Sequence, residues 1–207
     1  MTSFLLDGPK HAKLTVALAH GAGAPMDSPF MNEIAQGIAA GGFRVARFEF
    51  PYMHARREGG KSGPPDREAV LREVWLDAIR ELGPERLVVG GKSLGGRIAS
   101  LVADEAGVRG LLCLGYPFHP PGKPDRLRTA HLRDLATPAL ILQGTRDPFG
   151  SPDEVGGYRL GRSIRVVWVP DGDHSFKPRA KSGRTEGENR EFAAAQARRF
   201  LAERAAA

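Results

Sequence analysis

The chain has 207 residues, 41% of them hydrophobic, which is enough for one sizeable core and predicts a single domain over residues 1–207 rather than a disordered tail protein. Its longest apolar runs, such as 14–19 and 111–114, fall far short of the roughly 18 residues a membrane-spanning helix needs, so a soluble protein is expected. Thirty Lys and Arg against 24 Asp and Glu leave a net charge of +6, which raises nucleic acid as a partner, but the distribution speaks against it. Arg67, Arg72 and Arg80 sit beside Glu68, Glu73 and Glu81, as on solvated helix faces. The denser basic patches at 56–61 and 179–184 lie in Gly-, Pro- and Ser-rich stretches and lack aromatics on which bases could stack. The start, MTSFLLDGPKHAK, has no basic stretch leading into ~7–15 apolar residues, so no secretory signal is expected and the protein reads as cytoplasmic. The single cysteine, Cys113, lies in an apolar run and reads as a small buried hydrophobe rather than a nucleophile.

Along the chain, short runs rich in Val, Ile and Leu at 14–19, 45–50, 87–89, 110–114, 139–142 and 164–169 alternate with longer segments of helical character. Those segments are 29–40, 66–82, 94–106, 152–160 and 188–206. Such alternation requires right-handed crossovers and predicts an α/β fold: a mainly parallel six-stranded sheet with helices on both faces. Residues 3–6 are the one candidate for a seventh strand, at the sheet edge. The strongest helix signal is 66–82, where Pro64-Pro65 end the preceding loop, Asp66 is placed to cap the first turn, and Val70, Leu71, Val74, Ile79 and Leu82 recur near the 3.6-residue period. Loops at 51–65 and 117–138 exceed the usual span of about 2–6 residues, and neither is large enough to form a helical lid or cap.

Ligands of open parallel sheets bind beyond the carboxyl ends of the strands, so the residues that follow each strand matter most. After the third run the chain reads LVVGGKSLGGRIAS, placing Gly91-Lys92-Ser93-Leu94-Gly95 as G-x-S-x-G between a strand and a helix. A strand that turns this sharply into a helix forces the serine into a strained conformation and needs glycines on either side for clearance. Ser93 is thereby a candidate nucleophile. The same string contains Gly-Lys-Ser, but a phosphate-binding loop would need glycine at position 86, which is Arg86. Lys92 is expected to be an exposed or partner-facing residue of the elbow, where an ammonium could attract an anionic substrate.

A serine hydroxyl needs a base to take its proton and an acid to orient that base. The last strand run is followed by PDGDHSF, putting His174 just past a strand end, and ALILQG is followed by TRDPFG, putting Asp147 in the corresponding place. The order Ser93, Asp147, His174 is the one that accompanies a serine on a strand-to-helix elbow, unlike the chymotrypsin or subtilisin orders. Asp171 and Asp173 compete for the acid role, although their D-G-D setting suits a turn. An oxyanion hole needs two N–H donors. Leu94, after the nucleophile, offers the first; Ala22, in the turn Ala19-His20-Gly21-Ala22-Gly23 after the first run, offers the second, with Gly21 as the alternative. His20 is expected to brace that turn by hydrogen bonding.

These residues lie in strings that together resemble the α/β-hydrolases of the small, cap-less, dienelactone-hydrolase-like kind. The likeness is strongest to the bacterial relatives of the testis-expressed and NSL-complex-subunit hydrolase-like proteins. It runs through AHGAGAPMDSPFM, FPYMHARR, GGKSLGGRIAS, GYPFHPPGKP, QGTRDPFG and GDHSFKP, almost the whole chain. The resemblance implies Ser93 as nucleophile, Asp147 as acid and His174 as base, and a sheet without the first two antiparallel strands of larger members. It leaves the two long loops to shape the pocket, with His20, Tyr52, Met53, Tyr116, Phe118 and His119 as candidate wall residues whose alternative role is packing over the sheet.

The expected reaction is hydrolysis of an ester-type bond in a small molecule through an acyl-enzyme, with no cofactor and no metal, since no His, Cys, Asp or Glu set has ligand spacing. Partners other than the substrate, a nucleic acid or membrane among them, are not expected. A non-catalytic binding module on the same fold is the main rival reading. An anion-binding surface formed by Lys92, Arg56, Arg57 and Lys177 is a third.

Overall fold

The computed structural model describes residues 2–60 and 63–206. Seven strands form one sheet: β1 (Leu5–Asp7), β2 (Thr15–Ala19), β3 (Arg44–Phe48), β4 (Leu87–Lys92), β5 (Gly110–Leu114), β6 (Ala139–Gly144) and β7 (Ile164–Val169). Their spatial order is β1-β3-β2-β4-β5-β6-β7. All neighbours run parallel except β1, which pairs antiparallel with β3, so the 3–6 segment does supply an edge strand, which starts two residues later and ends one residue later than expected. Six α-helices connect them: α1 (Pro29–Ala39), α2 (Pro51–Arg57), α3 (Glu68–Leu82), α4 (Leu94–Ala106), α5 (Pro152–Gly156) and α6 (Glu186–Ala206). None of these is long and apolar enough to cross a membrane.

The period-2 pleat divides the strand side chains between two cores. Ala17, Val89, Leu111 and Ile141 face one side, where Leu71, Trp75 and Ile79 of α3 and Ile98, Ala99 and Val102 of α4 cover them. Val16, Leu18, Val88, Leu112 and Leu140 face the other, under Ile34 and Ile38 of α1 and Ala193, Ala197, Phe200 and Leu201 of α6. Burial on both faces explains why the strands read as unbroken apolar runs.

Three sequence expectations are corrected here. The 51–65 segment is not all loop: it opens with α2, which Pro51 starts at its first helical position and which buries Tyr52 and Met53. Seven residues framed by Pro, Arg and Gly are too few to display a period. Asp66 does not cap α3, whose N-cap is Arg67 without a side-chain hydrogen bond. Instead an Asp66 carboxylate oxygen accepts the Tyr52 N–H at 2.9 Å, satisfying a free amide in the first turn of α2. The helix at 152–160 is also shorter than expected, closing at Gly156 after a Ser151–Glu154 capping box.

The strand order fixes where a site can form. From β2 the chain crosses outward to β3, while from β4 it crosses the other way to β5, so the adjacent ends of β2 and β4 flank a topological switch point. Ala19 lies in register with Gly91 there, which brings the His20–Gly21–Ala22 turn beside Ser93.

Candidate active site

The elbow is built by close backbone contact. Ser93 adopts φ 51° and ψ −111°, one of three non-glycine residues with positive φ among the described residues. Its N–H donates to Leu114 O at 3.1 Å and its carbonyl accepts Arg97 N–H at 2.9 Å, so neighbours on both sides hold the strained conformer. A Cβ at Gly91 would stand 2.1 Å from Ala19 O, and one at Gly95 2.3 Å from the same atom, so either side chain would push the elbow off β2. Trp75 anchors the turn from beneath, its indole N–H donating to Gly95 O at 3.3 Å.

The structure brings Ser93, His174 and Asp147 together from the ends of β4, β7 and β6. Ser93 Oγ lies 2.9 Å from His174 Nε2, and His174 Nδ1 lies 2.8 Å from Asp147 Oδ2. A carboxylate accepts at Nδ1, so the proton resides there, leaving Nε2 to accept from the serine hydroxyl. Gly115, with φ +69°, permits this reach: a Cβ there would sit 2.9 Å from His174 O and 3.2 Å from His174 Nδ1. Asp147 is 1% exposed, and its second oxygen accepts Phe149 N–H at 2.9 Å. Burial, and to a lesser degree the nearby Lys92 charge, hold His174 below the ordinary imidazole range against the opposing pull of Asp147.

The two rival carboxylates are engaged elsewhere. Asp171 pairs with Arg179, and Asp173 closes its own turn by accepting the amides of Ser175 and Lys177 at 2.8 and 2.9 Å. Across the elbow, His20 is fully buried and braces the turn as expected. Its Nδ1–H donates to Gly21 O at 2.6 Å and its Nε2 accepts Phe50 N–H at 3.1 Å, a pairing that suits the neutral ring, and burial lowers its basicity. The Tyr52 hydroxyl stands 3.3 Å from both Gly21 O and Ala22 O. Among the described residues no acceptor takes the N–H of Ala22 or of Leu94, the latter at the start of α4 where helix amides have no intrahelical partner.

Several expected wall residues prove to be packing. Tyr116 and Phe118 have no exposed surface and tilt against each other with ring centroids 4.9 Å apart, so neither can meet a ligand. His20, Met53 and His119 are likewise buried, His119 with its Nδ1 against Pro120 O at 2.9 Å, and Tyr52 is 8% exposed. Loops 51–65 and 117–138 each carry one Phe or Tyr, Tyr52 and Phe118, and hydrophobic burial draws these rings under the loop rather than over the site. Lys92 is also corrected: it is 9% exposed and its ammonium donates to the backbone carbonyl of His174. Arg57 is held by Asp27 and Glu49, so the four cations of the anion-surface reading do not gather.

Two residues not singled out in the sequence contribute. Gln143, fully buried on β6, donates from Nε2 to Asp147 Oδ2 at 2.9 Å and exchanges bonds with the Tyr116 backbone, accepting its N–H at 2.7 Å. Phe149 lays its ring on His174, centroids 4.2 Å apart, and screens one face of the imidazole from water. A polar residue inside an apolar strand run, four before the acid, was the available signal for Gln143. Cys113 is buried against Gly96 behind the elbow, and burial raises its thiol pKa, which keeps it protonated. A groove of about 880 Å³, lined among others by Met26, Glu49, Pro51 and His54, contains none of the three triad residues. Among the described residues no group of three or more His, Cys, Asp or Glu is placed to hold a metal ion.

A strand-to-helix serine beside a histidine and a carboxylate from later strand ends, on a seven-stranded sheet with no cap, is the architecture of an α/β-hydrolase. Residues 12–202 match the family model described as an alpha/beta hydrolase domain, and the chain belongs to that family. Uncharacterized protein YfhR of Salmonella typhimurium (strain LT2) is 30% identical over 203 residues, a match covering 80% of this chain and 66% of the relative. YfhR of Salmonella typhi is 29% identical over 204 residues with the same coverage, so the chain spans just under two thirds of these curated relatives. Among solved structures it is similar to the dienelactone hydrolase of Anabaena variabilis, with TM-score 0.73 and 20% identity over 98% of this chain and 96% of that one. Est1E of Butyrivibrio proteoclasticus gives TM-score 0.73 at 13% identity, covering 98% and 93%. XC6422 of Xanthomonas campestris, an α/β serine hydrolase without a lid, gives 0.66 at 18%, covering 96% and 94%. At these identities the structures establish the shared fold.

Proposed function

We propose that this protein is a serine hydrolase that cleaves an ester-type bond, whether carboxylester, thioester or lactone, in a small substrate. The observation that carries the reading is the unbroken hydrogen-bonded chain from Ser93 Oγ through the His174 ring to Asp147, at 2.9 and 2.8 Å. Ser93 Oγ attacks the substrate carbonyl as its proton passes to His174 Nε2, and the carbonyl electron pair moves onto oxygen. The free amides of Leu94 and Ala22 donate to that oxyanion. Collapse restores the carbonyl and breaks the bond to the leaving group, which takes the proton from Nε2 and departs as an alcohol or thiol. Water, deprotonated by the same nitrogen, then attacks the acyl-enzyme, releasing the acid and returning the proton to Ser93. Asp147 holds the Nδ1 tautomer and offsets the imidazolium charge. Every group in this sequence comes from the chain. The strained backbone at Ser93 favours this reading over a non-catalytic module, in which nothing would need a serine at positive φ.

The test is intact-mass spectrometry of wild type and Ser93→Ala after a fluorophosphonate probe, beside a chain-length panel of p-nitrophenyl esters. One adduct on the wild type alone, with ester turnover lost in Ser93→Ala, is expected. A folded wild type that takes no adduct and turns over no ester overturns the proposal.

A further inference from the structure

Lys92 stands immediately before the nucleophile, yet none of the steps above uses it. Its side chain is almost fully buried, and among the described residues it has no carboxylate within ion-pair distance. Desolvating an ammonium without a paired anion is unfavourable, so the fold must gain something specific from it. The stem runs beneath the oxyanion turn: a Cβ at Gly21 would lie 3.4 Å from Lys92 Cγ and 3.7 Å from Ser93 Cβ. The ammonium ends at the base loop, donating to His174 O, 3.0 Å from where a Gly115 side chain would begin. Lys92 therefore touches the three parts that must stay in register: elbow, oxyanion turn and base loop. The groups that face it are Asp147 beyond β6, Asp173 and His174 beyond β7, and Phe30 of α1, whose ring centroid lies 5.5 Å from Nζ. Arg190 of α6 lies 5.7 Å from the same ring and is neutralised by Glu33 and Glu186.

Resting on the serine-hydrolase reading, we propose that Lys92 is a positioning residue: its ammonium ties the carbonyl of His174 to the nucleophile elbow and so holds the imidazole in line with Ser93. A hydrogen bond to the backbone of the base itself constrains where the ring can stand, and small displacements of a base from its nucleophile cost rate steeply. The charge has a second effect. It disfavours a second positive charge on His174, keeping the ring able to accept a proton at lower pH and making the imidazolium a stronger acid toward the leaving group. Burial takes Lys92 itself down to about 8, with Asp147 and Asp173 opposing, so the clamp is fully charged only below that.

The test compares wild type, Lys92→Met and Lys92→Gln as full chains, reading fluorophosphonate labelling rate, kcat and KM for a p-nitrophenyl ester, and an NMR titration of the His174 ring. Lys92→Met is expected to lower plateau kcat about tenfold or more with KM little changed, and to move the acid limb and the His174 midpoint upward. Lys92→Gln, which can still donate but carries no charge, recovers part of the plateau and keeps the raised midpoint. Folded variants with the wild-type plateau and His174 midpoint overturn the proposal, as does a loss of thermal stability with both readouts unmoved. The NMR titration needs no turnover, so an unshifted midpoint refutes the role of Lys92 even in an inactive protein. A wild type that takes no probe refutes the enzymatic reading instead.

Discussion

Replacing Ser93 by Gly and by Ala measures the strain at the elbow directly. Both changes delete the hydroxyl and its 2.9 Å contact with His174, so both should be inactive, and the difference between them isolates the backbone. At φ 51° and ψ −111° a Cβ-bearing residue holds about 1–3 kcal/mol of strain, which Ala retains and Gly releases. Against this, Gly loses about 0.5–1 kcal/mol more chain entropy than Ala on folding. Little packing is at stake, since the Ser93 Cβ lies 3.7 Å from where a Gly21 side chain would start and the residue is partly exposed. Ser93→Gly should therefore exceed Ser93→Ala in stability by about 1 kcal/mol and by no more than about 2.5 kcal/mol, or roughly 2–4 °C and at most about 10 °C in Tm for a chain of this size. Thermal and urea denaturation of the two variants give the value. A Gly variant less stable than the Ala variant by the full ~0.5–1 kcal/mol of its entropy cost would mean the elbow stores no strain.

Asp147→Asn leaves the shape of the site intact but removes the acceptor that fixes the His174 tautomer, and kcat should fall by about 10³–10⁴ in a p-nitrophenyl ester assay. Gln143→Leu strands the Tyr116 N–H and one Asp147 contact in the interior. It should cost about 1–3 kcal/mol in chemical denaturation and lower kcat more than it raises KM. His20, His131 and His174 all have basicity lowered by burial, so below about pH 6.5 the unfolded chain binds protons that the folded chain refuses. Stability then declines as pH falls through that value, by up to about 1.4 kcal/mol per pH unit for each histidine, and Tm measured across the acid range should fall accordingly.

Strand and helix order were legible from one-dimensional pattern alone. Apolar runs of strand length mark a sheet buried on both faces, and the glycines of G-K-S-L-G are demanded by a backbone contact as close as 2.1 Å that no other residue tolerates. The three residues brought together at the site were legible for a related reason: each follows a strand, and parallel strands deliver their carboxyl ends to one edge. The choice among Asp147, Asp171 and Asp173 was weaker in the sequence, because all three lie in turns past a strand. It depends on which carboxylate the loops carry to Nδ1, and Arg179 and the Ser175 amide occupy the other two.

The sequence by itself determined the six core strands, the longer helices, their alternation and the strand ends from which a site could be assembled, though not the short α2, because hydrophobic period and glycine sterics act over a few residues. Only the tertiary structure decided that Lys92 lies inside, that Tyr116 and Phe118 are packing, that Asp66 serves α2 instead of α3, and that Gln143 supports the acid. The deciding partners are mostly distant in the chain, 82 residues apart for Lys92 and His174 and 27 for Gln143 and Tyr116, and burial of a long or polar side chain is set by what closes over it rather than by its neighbours in sequence.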